Sequence, residues 1–324
     1  MTSLDEIREP VKEDLKQFES FFFNTMKSDI PLLRLVLNYI MRRKGKQMRP
    51  LLVFLSAAMN GTISESTHVA ATLIELLHTA SLAHDDVVDD ATERRGMPSI
   101  NALWNSKIAV LLGDFLLAKG LLVSVDHSCF DMLHIVSDAV QSMAEGELLQ
   151  IQKVRRYNVT EEEYYKVISC KTAALISACA MTGTRSVTSD SDSINRMKEI
   201  GENIGMAFQI RDDILDYSNS GNTGKKSGND IKEGKITLPL IHSLDIASLN
   251  DKRRIISIIK NKNKTSDDIS AVMDFVKANN GLQYAEEKMN IYSQKALSAI
   301  EAYPDSPYKK SFIEFIHYTT NRDK

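Results

Sequence analysis

Residues 75–96 read ELLHTASLAHDDVVDDATERRG, and this stretch decides the architecture. Leading into it, Val69, Leu73, Leu76, Leu77, Ala80 and His84 recur at i, i+4, i+7 and i+8, the spacing of one helix face. The stripe ends in Asp85, Asp86, Asp89 and Asp90. On a helix, Asp85 and Asp89 are i, i+4 neighbours whose charges repel. They also sit where a helix C-terminus disfavours anions. A cation offsets both penalties. Mg2+ suits these donors, because it takes one or two carboxylates with waters and phosphate oxygens.

The same period runs through the rest of the chain. Met132, Ile135, Val136, Ala139, Val140, Met143 and Ile151 form a second stripe, and Ile200, Ile204, Ala207, Phe208, Ile210 and Ile214 a third. Convincing period-two alternation is missing. Ser64 to Ser66 reads as an N-cap region, and Thr160 with Glu163 fits a capping box. Only 14 glycines and 7 prolines occur in 324 residues, too few for a turn-rich β architecture. These patterns predict one all-α domain over residues 1–324. Residues 218–234 hold glycines with spaced Lys and Asp and read as a structured loop. The basic run at 251–264 reads as a solvated helix end.

A net charge of −3 offers no basic field, so nucleic acid is not expected as a partner. Cys129, Cys170 and Cys179 show no metal spacing and suit a reducing cytoplasm. The charged N-terminus carries no apolar signal core. The most apolar stretch, 108–125, is interrupted by Asp114 and Lys119 and reads as a buried helix rather than a membrane span.

A second acidic cluster, FQIRDDILD at 208–216, places Asp212, Asp213 and Asp216 in another apolar helix. Two such clusters facing each other would wall a site for several Mg2+ ions with a diphosphate between them. Lys46 and Arg49 in GKQMRP (45–50), Arg94 and Arg95, Lys171 with Thr172, and Lys225 and Lys235 stand near these clusters or the glycine-bearing loop. Basic groups beside a metal–carboxylate site imply anionic oxygen ligands, of which phosphates are the commonest.

These motifs resemble the trans-type isoprenyl diphosphate synthases. The resemblance rests on GKQMRP, the stretch at 75–96, LLGDFLLAK (111–119), GELLQ (146–150), KTA (171–173), FQIRDDILD and GKKSGNDIKEGKITLPL (224–240), in the family's order over residues 34–242. It implies a bundle of antiparallel helices around a deep central cavity and a homodimer. It also implies a reaction: an allylic diphosphate ionises, the double bond of isopentenyl diphosphate attacks the allylic carbon, and a proton leaves. The primer would be geranyl, farnesyl or geranylgeranyl diphosphate. By resemblance, Asp85, Asp86 and Asp89 bind Mg2+ on the allylic diphosphate, and Asp212 does so from the opposite wall with Asp213 and Asp216 nearby. Lys46, Arg49, His78 and Arg95 hold isopentenyl diphosphate. Arg94, Lys171, Lys225 and Lys235 hold the allylic diphosphate, and Thr172 and Gln209 lie beside the developing cation. Asp114 matches a motif without a physical role of its own, and His78 also reads as a core histidine.

Short-chain members carry a bulky aromatic about one helical turn below the first aspartate. Here Ala80 and Ser81 are small. Ile74, Leu77, Val136, Val140 or Met143 would then block the tail further down. The resemblance thus implies a medium- to long-chain, hepta- to nonaprenyl and most nearly octaprenyl product. Small residues chosen only for helix packing remain the alternative. So do a short-chain farnesyl or geranylgeranyl diphosphate synthase and a class I terpene cyclase, although cyclases usually carry an NSE-type second motif.

Overall fold

A computed structural model describes residues 3–42, 45–94, 96–154, 157–217 and 228–321. The chain begins with α1 (Leu4–Arg8), α2 (Lys12–Thr25), α3 (Pro31–Arg42) and α4 (Met48–Asn60). It continues through α5 (Glu65–Val88), α6 (Ile100–Trp104), α7 (Ser106–Asp126), α8 (Phe130–Val154) and α9 (Glu161–Ile168). A π-helical turn, Ser169–Ala173, joins α9 to α10 (Ala174–Arg185) and then α11 (Ser191–Asp216). The chain closes with α12 (Asn229–Glu233), α13 (Leu238–Ile246), α14 (Leu249–Lys260), α15 (Ser266–Ala278), α16 (Gly281–Ile300) and α17 (Pro307–Asn321). The expected all-α class is what the chain adopts.

Helix α5 shows how the sequence sets these boundaries. Ser64 caps its start in a reciprocal box with Thr67, which satisfies amide donors that have no partner inside the helix. Asp89 is the C-cap, and Asp90 turns left-handed at φ 47°, which ends the helix directly beneath the aspartates. Between these ends Leu73, Ile74 and Leu76 are wholly buried. Burying each stabilises the fold by about 1.5–3 kcal/mol, and truncating one to Ala costs about 2–5 kcal/mol.

Three apolar clusters hold the helices. The largest joins Leu73, Ile74 and Leu77 of α5 to Leu51 and Phe54 of α4, Val136 of α8, Leu175 of α10 and Ile200 of α11. A second gathers Tyr164 of α9, Ile210 and Ile214 of α11 and Leu238, Ile255 and Val272 from the C-terminal helices. A third packs Leu76 and Ala80 against Leu112 and Leu116 of α7 and Val36 of α3. Helix α11 therefore enters the first cluster with its N-terminal half and the second with its aspartate-bearing half.

The structure departs from sequence expectation in three places. Helix α7 is apolar all round but only partly buried: Leu112, Gly113, Leu116 and Gly120 face inward, while Val110, Leu111, Leu121, Leu122 and Val125 are exposed. By length and composition it could cross a membrane, as could 161–185. Part of the glycine-rich stretch is helical, because the Asp216 carboxylate accepts the amide hydrogens of Asn229 and Asp230 and so nucleates α12. A two-residue antiparallel pair, Glu93–Arg94 with Met97–Pro98, forms around Gly96 at φ 76°. It is too short to leave a period-two signature.

Candidate active site

The C-terminal end of α5 makes one wall. Asp85 is half-buried, and burial raises its carboxyl above the usual range. Glu147 and Asp89 add to that rise, while Lys171 and Arg94 oppose it. Asp86 is 2% exposed and accepts a 2.6 Å hydrogen bond from Nε of Arg94. Arg94 thus binds the aspartate cluster itself. Asp89 is exposed at the helix end.

The end of α11 makes the other wall. Asp212 is partly exposed. Asp213 is buried; Tyr164 Oη donates to its Oδ2 at 2.7 Å and Gln209 Nε2 to its Oδ1 at 2.8 Å. Burial pushes Asp213 up to about 8, the Asp230 charge adds to this, and the two hydrogen bonds oppose it. Both oxygens of Asp216 accept backbone amides, each at 3.0 Å. Asp213 and Asp216 therefore each have protein donors on both carboxylate oxygens.

The π-helical turn lies between the walls and carries Lys171 and Thr172. Such turns often mark functional sites, since the extra residue re-aims side chains. Gly146 lets α8 approach it: a Cβ there would stand 2.8 Å from Cβ of Cys170. The next residue, Glu147, pairs with Lys171, and Gln150 lies 3.5 Å from the same ammonium. The GELLQ motif is thus a platform for Lys171. Thr172 Oγ1 donates to Oε1 of Gln209 at 2.7 Å.

Lys235 completes the set. It lies 2.5 Å from Glu233 and 3.7 Å from Asp230. Burial pulls its ammonium down, but Glu233, Asp230 and Asp89 outweigh that and raise it. Asp230 itself is pushed up to about 6, by burial first, against the pull of Lys235. Lys171 is felt at Asp85 and Asp89 at Lys235, so both walls look into one space. A cavity of about 240 Å³ opens beside the α11 wall, lined by Tyr164, Lys171, Thr172, Gln209, Asp213, Asp230 and Lys235 among others.

The residues expected at the second diphosphate come from the start of α4 and the middle of α5. Lys46 is exposed, with its ammonium 5.4 Å from the ring centre of Tyr318. Arg49 is partly buried in the first turn of α4. His78 is 9% exposed, two helical turns before Asp85 on α5. Arg95 and Lys225 lie outside the described residues. Asp114 gains a role: it lies 3.4 Å from Nε2 of His84, the residue preceding Asp85.

The two expected chain-length residues separate. Ala80 is 4% exposed and packs in the third cluster. Ser81, one turn before Asp85, is partly exposed and donates to the His78 carbonyl at 2.9 Å. Of the flanking positions, Ile74, Leu77 and Val136 are buried in the large cluster, with Val140 and Met143 packed against it.

Sequence reading passed over Tyr164, Glu147 and Asp230. Glu147 and Asp230 stand inside quoted motifs, whereas Tyr164 in EEEYYK looks like any apolar helix position.

Two helix ends bearing carboxylates, with lysines held between them, define an all-α enzyme that handles diphosphates. The polyprenyl synthetase family model matches residues 30–276, and the chain belongs to that family of prenyltransferases. It is 32% identical over 323 residues to an octaprenyl diphosphate synthase of Escherichia coli, covering 99% of this chain and 100% of that one. The fold matches a decaprenyl diphosphate synthase from Rhodobacter capsulatus at TM-score 0.93 and 30% identity, covering 99% and 100% of the two chains. It also matches a polyprenyl synthase from Caulobacter crescentus, solved with calcium and isoprenyl diphosphate, at TM-score 0.92 and 28% identity over 99% and 98%.

Proposed function

We propose that this prenyltransferase condenses isopentenyl diphosphate with an allylic diphosphate to build a medium- to long-chain, octaprenyl-like all-trans product. The observation that carries the chain length is Ser81: a small side chain, partly exposed, stands one turn below Asp85 where a growing tail would descend. Full-length similarity to an octaprenyl diphosphate synthase supports the same reading.

The donor set fits Mg2+. Its oxygens are hard ligands, and Asp85 carries negative charge that burial and its neighbours leave poorly compensated. We assign Asp85 and Asp89 on one wall and Asp212 on the other to the ions. Asp86, Asp213 and Asp216 stay engaged with Arg94, Tyr164, Gln209 and the start of α12. Bound there, the ions supply charge neutralisation to a departing diphosphate. Lys171 and Lys235, held by Glu147 and by Glu233 with Asp230, grip the allylic diphosphate. Lys46, Arg49, His78 and Arg95 serve isopentenyl diphosphate. Thr172 and Gln209 flank the carbon that becomes electron-poor.

The exposed apolar stripe of α7 supports a homodimer, since a second copy would remove Leu111, Leu121, Leu122 and Val125 from water. The unpaired Cys129, Cys170 and Cys179 support a cytoplasmic setting. The test is purified protein with Mg2+, labelled isopentenyl diphosphate and a panel of geranyl, farnesyl and geranylgeranyl primers, with product length read by chromatography. Products near eight isoprene units are expected. Products stopping at three or four units would return the chain to the short-chain type.

A further inference from the structure

Three hydrogen bonds converge on Asp213 along the wall of the cavity, which Tyr164, Thr172, Gln209 and Asp213 all line. Thr172 Oγ1 donates to Gln209 Oε1 at 2.7 Å, Gln209 Nε2 donates to Asp213 Oδ1 at 2.8 Å, and Tyr164 Oη donates to Asp213 Oδ2 at 2.7 Å. The order follows from the groups. Asp213 accepts from both Gln209 and Tyr164, so Gln209 turns its NH2 toward Asp213 and its carbonyl toward Thr172. The Thr172 hydroxyl then gives its hydrogen to Gln209, which leaves its oxygen as an acceptor on the wall of the cavity that Thr172 lines.

Tyr164 is the far end of this relay. Its ring is 4% exposed in the second apolar cluster and meets the ring of Tyr165 edge-on at 5.5 Å. Helix α9 is itself anchored from outside. Glu161 on α9 accepts from the hydroxyl of Tyr284 on α16 at 2.7 Å. The Tyr164 hydroxyl is therefore presented from a braced helix, and it holds the Asp213 oxygen that Gln209 does not.

We infer that Tyr164 is a positioning residue for prenyl transfer: through Asp213 and Gln209 it aims the Thr172 oxygen at the carbon where positive charge develops. This rests on the proposed prenyl-transfer reading. Preorganised oxygen dipoles aimed at developing charge act on the transition state rather than on substrate binding. Tyr164 would thus act on turnover without gripping either diphosphate.

The test compares Tyr164→Phe with Tyr165→Phe in the full-length protein, by steady-state kinetics with Mg2+ and both substrates and by thermal unfolding. Each variant loses one hydroxyl that donates to a carboxylate, Asp213 or Glu161, but only Tyr164 lies on the relay. For Tyr164→Phe we expect kcat to fall about 10–100-fold, with KM for each diphosphate within about twofold of wild type. Tyr165→Phe should keep kcat within about twofold whatever its loss of thermal stability. The inference is overturned if Tyr164→Phe keeps wild-type kcat, if its KM values rise in step, if Tyr165→Phe loses kcat equally, or if Tyr164→Phe fails to fold. Wild-type protein that elongates no primer would overturn the prenyl-transfer reading as well, which separates the two failures.

Discussion

His84 fills the notch that Gly113 leaves in α7: a Cβ at position 113 would lie 2.2 Å from its Nε2. The same nitrogen lies 3.4 Å from Asp114 and 3.3 Å from the carbonyl of Val110. The LLGD motif thus seats the residue next to Asp85. Gly113→Ala should destabilise the protein by about 1–3 kcal/mol despite the better helix propensity of Ala. It should also lower turnover by displacing the α5 terminus. The double variant with His84→Ala should recover most of the stability, because the three atoms nearest to that Cβ all belong to the His84 ring. Thermal unfolding and initial rates check both outcomes.

Asp85→Ala and Asp212→Ala should each cut turnover by orders of magnitude while leaving the far-ultraviolet circular dichroism unchanged. Burial raises the Asp85 carboxyl, with Glu147 and Asp89 adding to the rise against Lys171 and Arg94, so removing this buried charge should not lower the melting temperature. Near-normal turnover in both variants would refute the ion assignment.

Ser81→Phe should shorten the product to farnesyl or geranylgeranyl size. The ring would project one turn below Asp85 on a partly exposed position. Ala80→Phe should shorten it too, at a stability cost of about 1–3 kcal/mol, because Ala80 is packed against α7. Product chromatography alongside melting curves separates the two.

Leu122→Glu should convert a dimer to a monomer. Leu122 is 54% exposed on the apolar stripe of α7, where a charge would be tolerated in the free chain but not in a dry interface. Sedimentation equilibrium reads the result. Unchanged mass would remove this face from the interface.

His68 stands against the rings of Phe21 and Phe54, with Asp14 and Glu65 near it. Burial lowers its pKa below the ordinary 6.5, and the two acids only partly oppose that. The folded state therefore binds this proton less tightly than the unfolded one. Its stabilising contribution is present above pH 6.5 and is lost as the pH falls toward the depressed folded value. His68→Phe should lessen the drop in melting temperature between pH 7 and 5, read by thermal unfolding at both pH values.

The helices were legible because each carries its own instructions: an apolar period of 3.6, capping at Ser64 and Thr160, and an aspartate-rich stop after Val88. The identity of the charged groups was legible for a related reason. Two acidic clusters inside apolar helices, with basic residues near them, make sense only around a cation and an anionic ligand. Local pattern determined the all-α class, and the ordered motifs pointed to the prenyltransferase family to which the chain belongs. Which carboxylates are engaged by protein donors was decided by tertiary structure, because the partners lie outside the acidic clusters themselves. Asp86 is claimed by Arg94, Asp213 by Tyr164 from another helix, and Asp216 by the amides that open α12. Packing likewise split Ala80 from Ser81: neighbours in sequence lie about 100° apart around a helix, so one enters the core against α7 while the other turns toward the aspartate face.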